Sequence, residues 1–119
     1  MERKVIAIFE DDATSRFIYE RLFTKREDVK AYIFESPEEG YAMAKEVNFD
    51  IVFIEVHYWS NFGGLNILKK LKELAPSSTR FAAMTSLLQQ GDLEYLISEG
   101  FSLCLEKPVV FSPKDIDAY

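Results

Sequence analysis

The sequence holds one cysteine, Cys104, one histidine, His57, and no apolar run near the ~20 residues a helix needs to cross a bilayer. A single thiol rules out an intrachain disulfide, so packing alone must hold the chain, and a reducing cytosol fits such usage. A lone histidine with no second histidine or cysteine nearby reads as a loop residue rather than a ligand. Basic charge is also short: 14 Lys and Arg face 20 Asp and Glu, a formal net charge of −6. That balance argues against nucleic acid or an anionic membrane as partner, and solubility accounts for it without an acidic-patch function. No secretory leader is expected, since Met1-Glu2-Arg3-Lys4-Val5 runs straight into a strand pattern. Repeats, linkers and low-complexity stretches are absent. What is present, 119 residues of which 48% are hydrophobic, suffices for one domain over residues 1–119 with a proper core.

Strand and helix signals alternate along this chain. Val5 to Phe9 predicts a buried strand. A helix follows over ~14–25, with Phe17, Ile18 and Leu22 at helical spacing and Asp12 as its N-cap. Val29 to Phe34 alternates as an edge strand does. Ser36-Pro37-Glu38-Glu39 combines a cap, a proline at the first helical position and a capping box, and opens a helix to about Val47. Asp50 to Glu55 is almost wholly apolar with a carboxylate at each end, the pattern of a central strand covered on both faces. His57 to Gly64 reads as a loop whose Gly63 and Gly64 mark a tight turn. Leu65 to Ala75 is a helix with Leu68, Leu71 and Leu74 as its buried stripe, stopped by Pro76. Phe81 to Thr85 is a strand, and Asp92 to Glu99 a helix capped by Asp92 and ended by Gly100. Phe101 to Leu105 is the last strand; Ser112-Pro113-Lys114-Asp115 opens a final, short helix.

Five strands alternating with helices of ~10–12 residues predict a doubly wound parallel α/β sheet, whose site lies beyond the carboxyl ends of the strands. Glu10, Asp11, Glu55, Thr85 and Lys107 all fall there. Taken singly each has a plain reading. Glu10-Asp11-Asp12 could be a helix N-terminal cluster favoured by the dipole, Thr85 a strand-end hydroxyl, Lys107 a surface charge. Together they place several carboxylates against one ammonium, and such excess negative charge raises the affinity for protons or a cation. Magnesium, which takes a few carboxylates plus waters, suits the set. No glycine-rich phosphate loop follows the first strand, which weighs against a flavodoxin-like nucleotide or flavin binder. Tyr58, Trp59 and Phe62 crowd the glycine-ended loop, either as a lid or as a partner patch. Cys104 within a strand is by default a buried apolar thiol.

In this order and at these separations, Glu10-Asp11, Asp50 to Glu55, Gly64-Leu65, Thr85 and Lys107-Pro108 make the chain resemble the receiver domain of two-component response regulators, the CheY-like family. The resemblance covers Lys4 to about Ile116. It implies a flavodoxin-like five-stranded parallel sheet of order 2-1-3-4-5 and a signalling role rather than an enzymatic one. In that family an aspartate at the tip of the third strand accepts a phosphoryl group from a histidine kinase. The acidic pair holds magnesium, joined by a backbone carbonyl two residues past the acceptor, here that of His57. The lysine contacts the phosphoryl oxygens, and the threonine hydroxyl switches the face around the fourth and fifth helices, through which receivers often form homodimers. Leu87 and Leu88 lie where receivers contact partners.

The departures decide the expectation. The acceptor position holds Glu55, the following loop carries aromatics in place of a proline with about one extra residue, and Cys104 stands where a switching aromatic is usual. Glutamate carries its carboxylate ~1.5 Å further out than aspartate, and an error of that size can cost roughly a hundredfold in rate. Glu55 would then imitate a phosphorylated aspartate by accepting from Thr85 and Lys107, or stand as an inert remnant. The expected function is a phosphorylation-independent pseudo-receiver in the cytoplasm acting through protein contacts, its partners a sensor histidine kinase or a downstream effector. The alternative is a working regulator phosphorylated on Glu55. A short last helix fits either a small separate protein or a receiver whose effector begins after Tyr119.

Overall fold

The computed structural model describes residues 3–86 and 89–117. Five strands, β1 (Lys4–Phe9), β2 (Val29–Phe34), β3 (Ile51–Glu55), β4 (Arg80–Thr85) and β5 (Leu103–Glu106), alternate with helices α1 (Ala13–Phe23), α2 (Pro37–Ala44), α3 (Gly64–Leu74), α4 (Gln90–Glu99) and α5 (Pro113–Asp117). All strand pairs are parallel and the order is β2-β1-β3-β4-β5. β3 sits in the middle and every one of its residues is buried, which is why it carries no polar alternation.

Two cores follow from the two faces. Alternate residues Ala7, Phe9, Val52, Ile54 and Ala83 pack with Ile67, Leu68, Leu71 and Leu96 of α3 and α4. Their neighbours Ile6, Ile8, Ile51, Phe53, Ala82 and Met84 pack with Tyr19 of α1, with Ile116 of α5 and with Phe111 just before it. The two carboxylates of the Asp50–Glu55 stretch go to opposite poles. At the amino pole, Asp50 receives the Val5 N–H on its side chain at 2.8 Å and donates its own N–H to the Val5 carbonyl at 2.7 Å, fastening β1 to β3.

Several local expectations shift. The buried residue of α1 is Tyr19, with Leu22 and Phe23 half-buried beside the same core. Phe17 and Ile18, roughly 200° and 100° around the helix from Tyr19, face out, 58% and 50% exposed. Asp12 does cap α1, accepting from the Ser15 N–H at 2.9 Å and the Ser15 hydroxyl at 2.8 Å. Ser36 stands at the N-cap of α2 as expected, but its side chain makes no cap bond to the helix N–H groups and its hydroxyl donates to the Glu38 carboxylate. α2 ends at Ala44, short of Val47. Asp92 lies inside the first turn of α4 rather than at its cap, which is Gln89. Leu74 is only half-buried. Gly100 ends α4 at φ 121°, a conformation that suits glycine alone. Leu87 and Leu88 lie outside the described residues. Among those described, no helix is long and apolar enough to cross a membrane.

Candidate functional site

Strand alternation assembles the site. Glu10 continues the Ile6, Ile8 phase of β1, Glu55 the Ile51, Phe53 phase of β3, and Lys107 the Leu103, Leu105 phase of β5. All three therefore leave the sheet on the α1–α5 side. Register aligns them as well: Phe9 faces Ile54, so the next residues, Glu10 and Glu55, emerge side by side. The Lys107 N–H donates to the carbonyl of Thr85, which holds the end of β5 against the end of β4 at 2.8 Å. The Lys107–Pro108 peptide is cis.

The Lys107 ammonium lies between the two carboxylates, 2.6 Å from Glu10 Oε1 and 3.5 Å from Glu55 Oε2. Glu10 is fully buried and well partnered. Its Oε1 accepts from Lys107 and, at 3.4 Å, from the Tyr19 hydroxyl, and its Oε2 accepts from the Asp12 N–H at 3.4 Å. Glu55 is 8% exposed, yet its Oε2 has no aligned hydrogen-bond partner among the described residues; the ammonium, 3.5 Å away, is a looser partner for it than for Glu10. Burial pushes the Glu55 carboxyl up to about 7, the lysine offsetting part of this and the charges of Glu10 and Asp11 adding to it. Burial also raises Glu10, with Lys107 pulling the other way. Burial lowers the Lys107 ammonium, but its hydrogen bond to Glu10 and the charges of both glutamates outweigh that and the net shift is upward.

The β3–α3 loop closes over this pole. Asp11 Oδ2 accepts the Trp59 N–H at 2.9 Å. The Tyr58 ring is buried and its hydroxyl donates to the Glu35 carbonyl. His57 Nδ1 accepts the Phe62 N–H at 3.1 Å, and Phe62 lies edge-on to His57 and to Tyr95 of α4. The left-handed residues here are Trp59 (φ 62°) and Phe62 (φ 58°), not the glycines. Gly64 is needed for space: a Cβ there would lie 2.3 Å from the Glu55 carbonyl oxygen. Among the described residues no three His, Cys, Asp or Glu side chains are grouped so as to hold a metal ion.

The family model for the response regulator receiver domain matches residues 6–118. The chain belongs to the response regulator receiver family. Solved receivers share its fold at low identity. A response regulator from Burkholderia pseudomallei, determined with a phosphorylated aspartic acid, a calcium ion and citrate, superposes with a TM-score of 0.77 at 18% identity over 97% of this chain. This receiver spans 65% of that protein. A CheY-like receiver domain from Methylobacillus flagellatus gives 0.74 at 21% identity, covering 98% of both chains. The receiver domain of Ssk1 from Saccharomyces cerevisiae, solved with the histidine phosphotransfer protein Ypd1, gives 0.73 at 17%, over 90% of this chain and 80% of that one. No curated protein sequence matches the chain.

The receiver fold thus brings Glu10, Glu55 and Lys107 into contact, with Asp11 beside them through Trp59. Thr85 ends β4 and is buried. Cys104 is out of phase with Lys107: it packs, partly buried, against the α3–α4 core, and burial raises its thiol. The His57 side chain organises the loop. The aromatics divide, Tyr58 packing inward while Trp59 stays 66% exposed. Two participants were not singled out by sequence reasoning: Tyr19, and Arg16, whose guanidinium donates to the Glu10 carbonyl at 3.0 Å. The i, i+4 spacing from Ser15 to Tyr19, on the face begun by the capping aspartate, was the available signal.

Proposed function

We propose that this receiver signals without phosphorylation, with Glu55 at the phosphoacceptor position. The reading rests on one observation above the rest: the Glu55 carboxylate is already buried at the β3 tip, 3.5 Å from the lysine. A nucleophile must meet an incoming phosphoryl group in line. A glutamate buried beside the lysine is ill placed for that, and a carboxylate near the ammonium supplies part of the charge a phosphoryl group would bring. Residues 1–119 form one receiver unit in this reading, cytosolic as a single thiol suits.

Output is by protein contact, with a sensor histidine kinase, a phosphotransfer protein or a downstream effector. Support comes from the exposed Trp59 and from Leu93, Tyr95 and Ile97 exposed on α4, where effector contact or self-association would fall. A magnesium ion held by Glu10, Asp11, Glu55 and the His57 carbonyl would compete for oxygens already engaged, Glu10 Oε1 by the Lys107 ammonium and Asp11 Oδ2 by the Trp59 N–H. The residues as paired do not fit the ion.

Intact mass after incubation with magnesium and a small phosphodonor tests the reading, with an aspartate-bearing receiver as positive control. The wild type is expected to keep its mass. A phosphoryl group on Glu55 would make this a conventional regulator with an unusual acceptor and overturn the proposal.

A further inference from the structure

We propose that the Lys107 ammonium is the resident cation of this pocket and excludes the divalent ion that its acids would otherwise recruit. The inference rests on the receiver reading of the site but needs no phosphodonor to test. Its first support is position. The ammonium occupies the gap between two buried carboxylates, 2.6 Å from one and 3.5 Å from the other, on a side chain only 15% exposed. Its backbone N–H is tied to the Thr85 carbonyl, so the residue is anchored rather than draped over the site.

The second support is how the other oxygens are used. Glu10 Oε2 accepts from the Asp12 N–H and Asp11 Oδ2 from the Trp59 N–H. Magnesium demands near-octahedral oxygens at about 2.0–2.1 Å. To obtain Glu10 Oε1 it must expel a fixed positive charge from hydrogen-bond distance and leave that ammonium without its carboxylate, a costly state for a side chain this far from water. Like charge in a pocket of low dielectric adds a barrier that bulk water would screen.

The converse follows from Glu55. Its Oε2 belongs to a side chain nine-tenths buried and has no hydrogen-bond partner among the described residues. Shortening Lys107 to an uncharged residue leaves that oxygen and Glu10 Oε1 facing one gap with no cation in it. The vacated gap should then take a dication.

Manganese, titrated alone and followed by its electron paramagnetic resonance signal, is the probe. The wild type is expected to leave free manganese unchanged into the low millimolar range, and Lys107→Met to bind one ion at least about tenfold more tightly. Submillimolar binding by the wild type overturns the inference; so does a folded Lys107→Met that binds no better than wild type. Where circular dichroism shows that variant unfolded, the amide spectrum of the wild type decides. Broadening of Asp11, Glu55 and Trp59 by low-millimolar manganese overturns the proposal, and unbroadened signals support it. Either way, phosphorylation of Glu55 is settled separately by the mass measurement.

Discussion

The tips of β1 and β3 carry the same side chain to the same pole, and only one of the two glutamates is provided for. Glu10 has an ammonium, a phenol and a helix N-terminal N–H on its oxygens. Glu55, one strand away and almost as deeply buried, has an oxygen with no aligned donor among the described residues. Burial raises both carboxyls, but pairing separates their energetics. A buried charge is stable only when its field is met by a partner in good geometry. The β1 tip is built as structure, whereas the β3 tip holds a carboxylate met only by an ammonium at 3.5 Å.

The sharpest way to break this contrast is to remove the shared cation. Lys107→Met should cost about 3–5 kcal/mol in urea unfolding, the loss expected when one member of a buried pair goes. If the β1 tip is the dependent one, adding Glu10→Gln should restore more of that loss than adding Glu55→Gln. Equal restoration would mean that the lysine serves both glutamates alike.

Next in size is the pH dependence of Glu55. Its carboxyl is raised to about 7 in the folded state from an unfolded value near 4.3. Between those values the folded state binds more protons than the unfolded one. Stability from this group is thus full below the unfolded value and is lost as pH rises through 7. The loss approaches an order of 3 kcal/mol above pH 8. Glu55→Gln should match wild type near pH 4 and be increasingly more stable than it toward pH 8. A stability difference that does not change with pH would show that the β3 carboxylate is as well paired as Glu10.

Gly64→Ala tests the β3 tip from the backbone side. The added methyl would meet the Glu55 carbonyl at 2.3 Å and the Val56 carbonyl at 3.0 Å, and relief requires shifting α3 or the strand end. A cost of about 1–3 kcal/mol is expected in chemical unfolding, and a neutral substitution would show that the tip gives way easily.

How much of this was legible beforehand depends on which interaction set each feature. Strand phase is local: the two-residue period of β1, β3 and β5 carries Glu10, Glu55 and Lys107 to one side, and it can be read from the apolar runs alone. Parallel order and the central place of Asp50–Glu55 follow from the same signal. What a sequence does not print is competition for donors. Nothing in Ser36-Pro37-Glu38-Glu39 says that the hydroxyl will choose Glu38 over the helix end. Nothing in Glu10-Asp11 says that Lys107 and the Trp59 N–H will take their oxygens. The buried face of α1 was misjudged because Phe17 and Ile18 outweigh Tyr19 in hydrophobicity, while Tyr19 alone of the three has a hydroxyl that meets Glu10. The loop resisted reading because its left-handed residues are aromatics, against the general preference for glycine.

Those aromatics give the smallest expected effect. Trp59 holds φ 62° with its indole two-thirds exposed and its N–H on Asp11. A bulky residue in that conformation costs about 1 kcal/mol or more, which glycine would not incur. Trp59→Gly keeps the N–H that Asp11 accepts and sheds the strain, while gaining entropy in the unfolded chain, so the net change in unfolding free energy should stay within about 1 kcal/mol. Partner binding is where the loss should appear, because an exposed aromatic on a strained backbone contributes little to the fold that holds it. A pull-down in which Trp59→Gly captures the same partner as wild type, with stability unchanged, would remove Trp59 from the contact surface. The pocket would then need another outlet, and Phe62 against Tyr95 of α4 offers one from this loop.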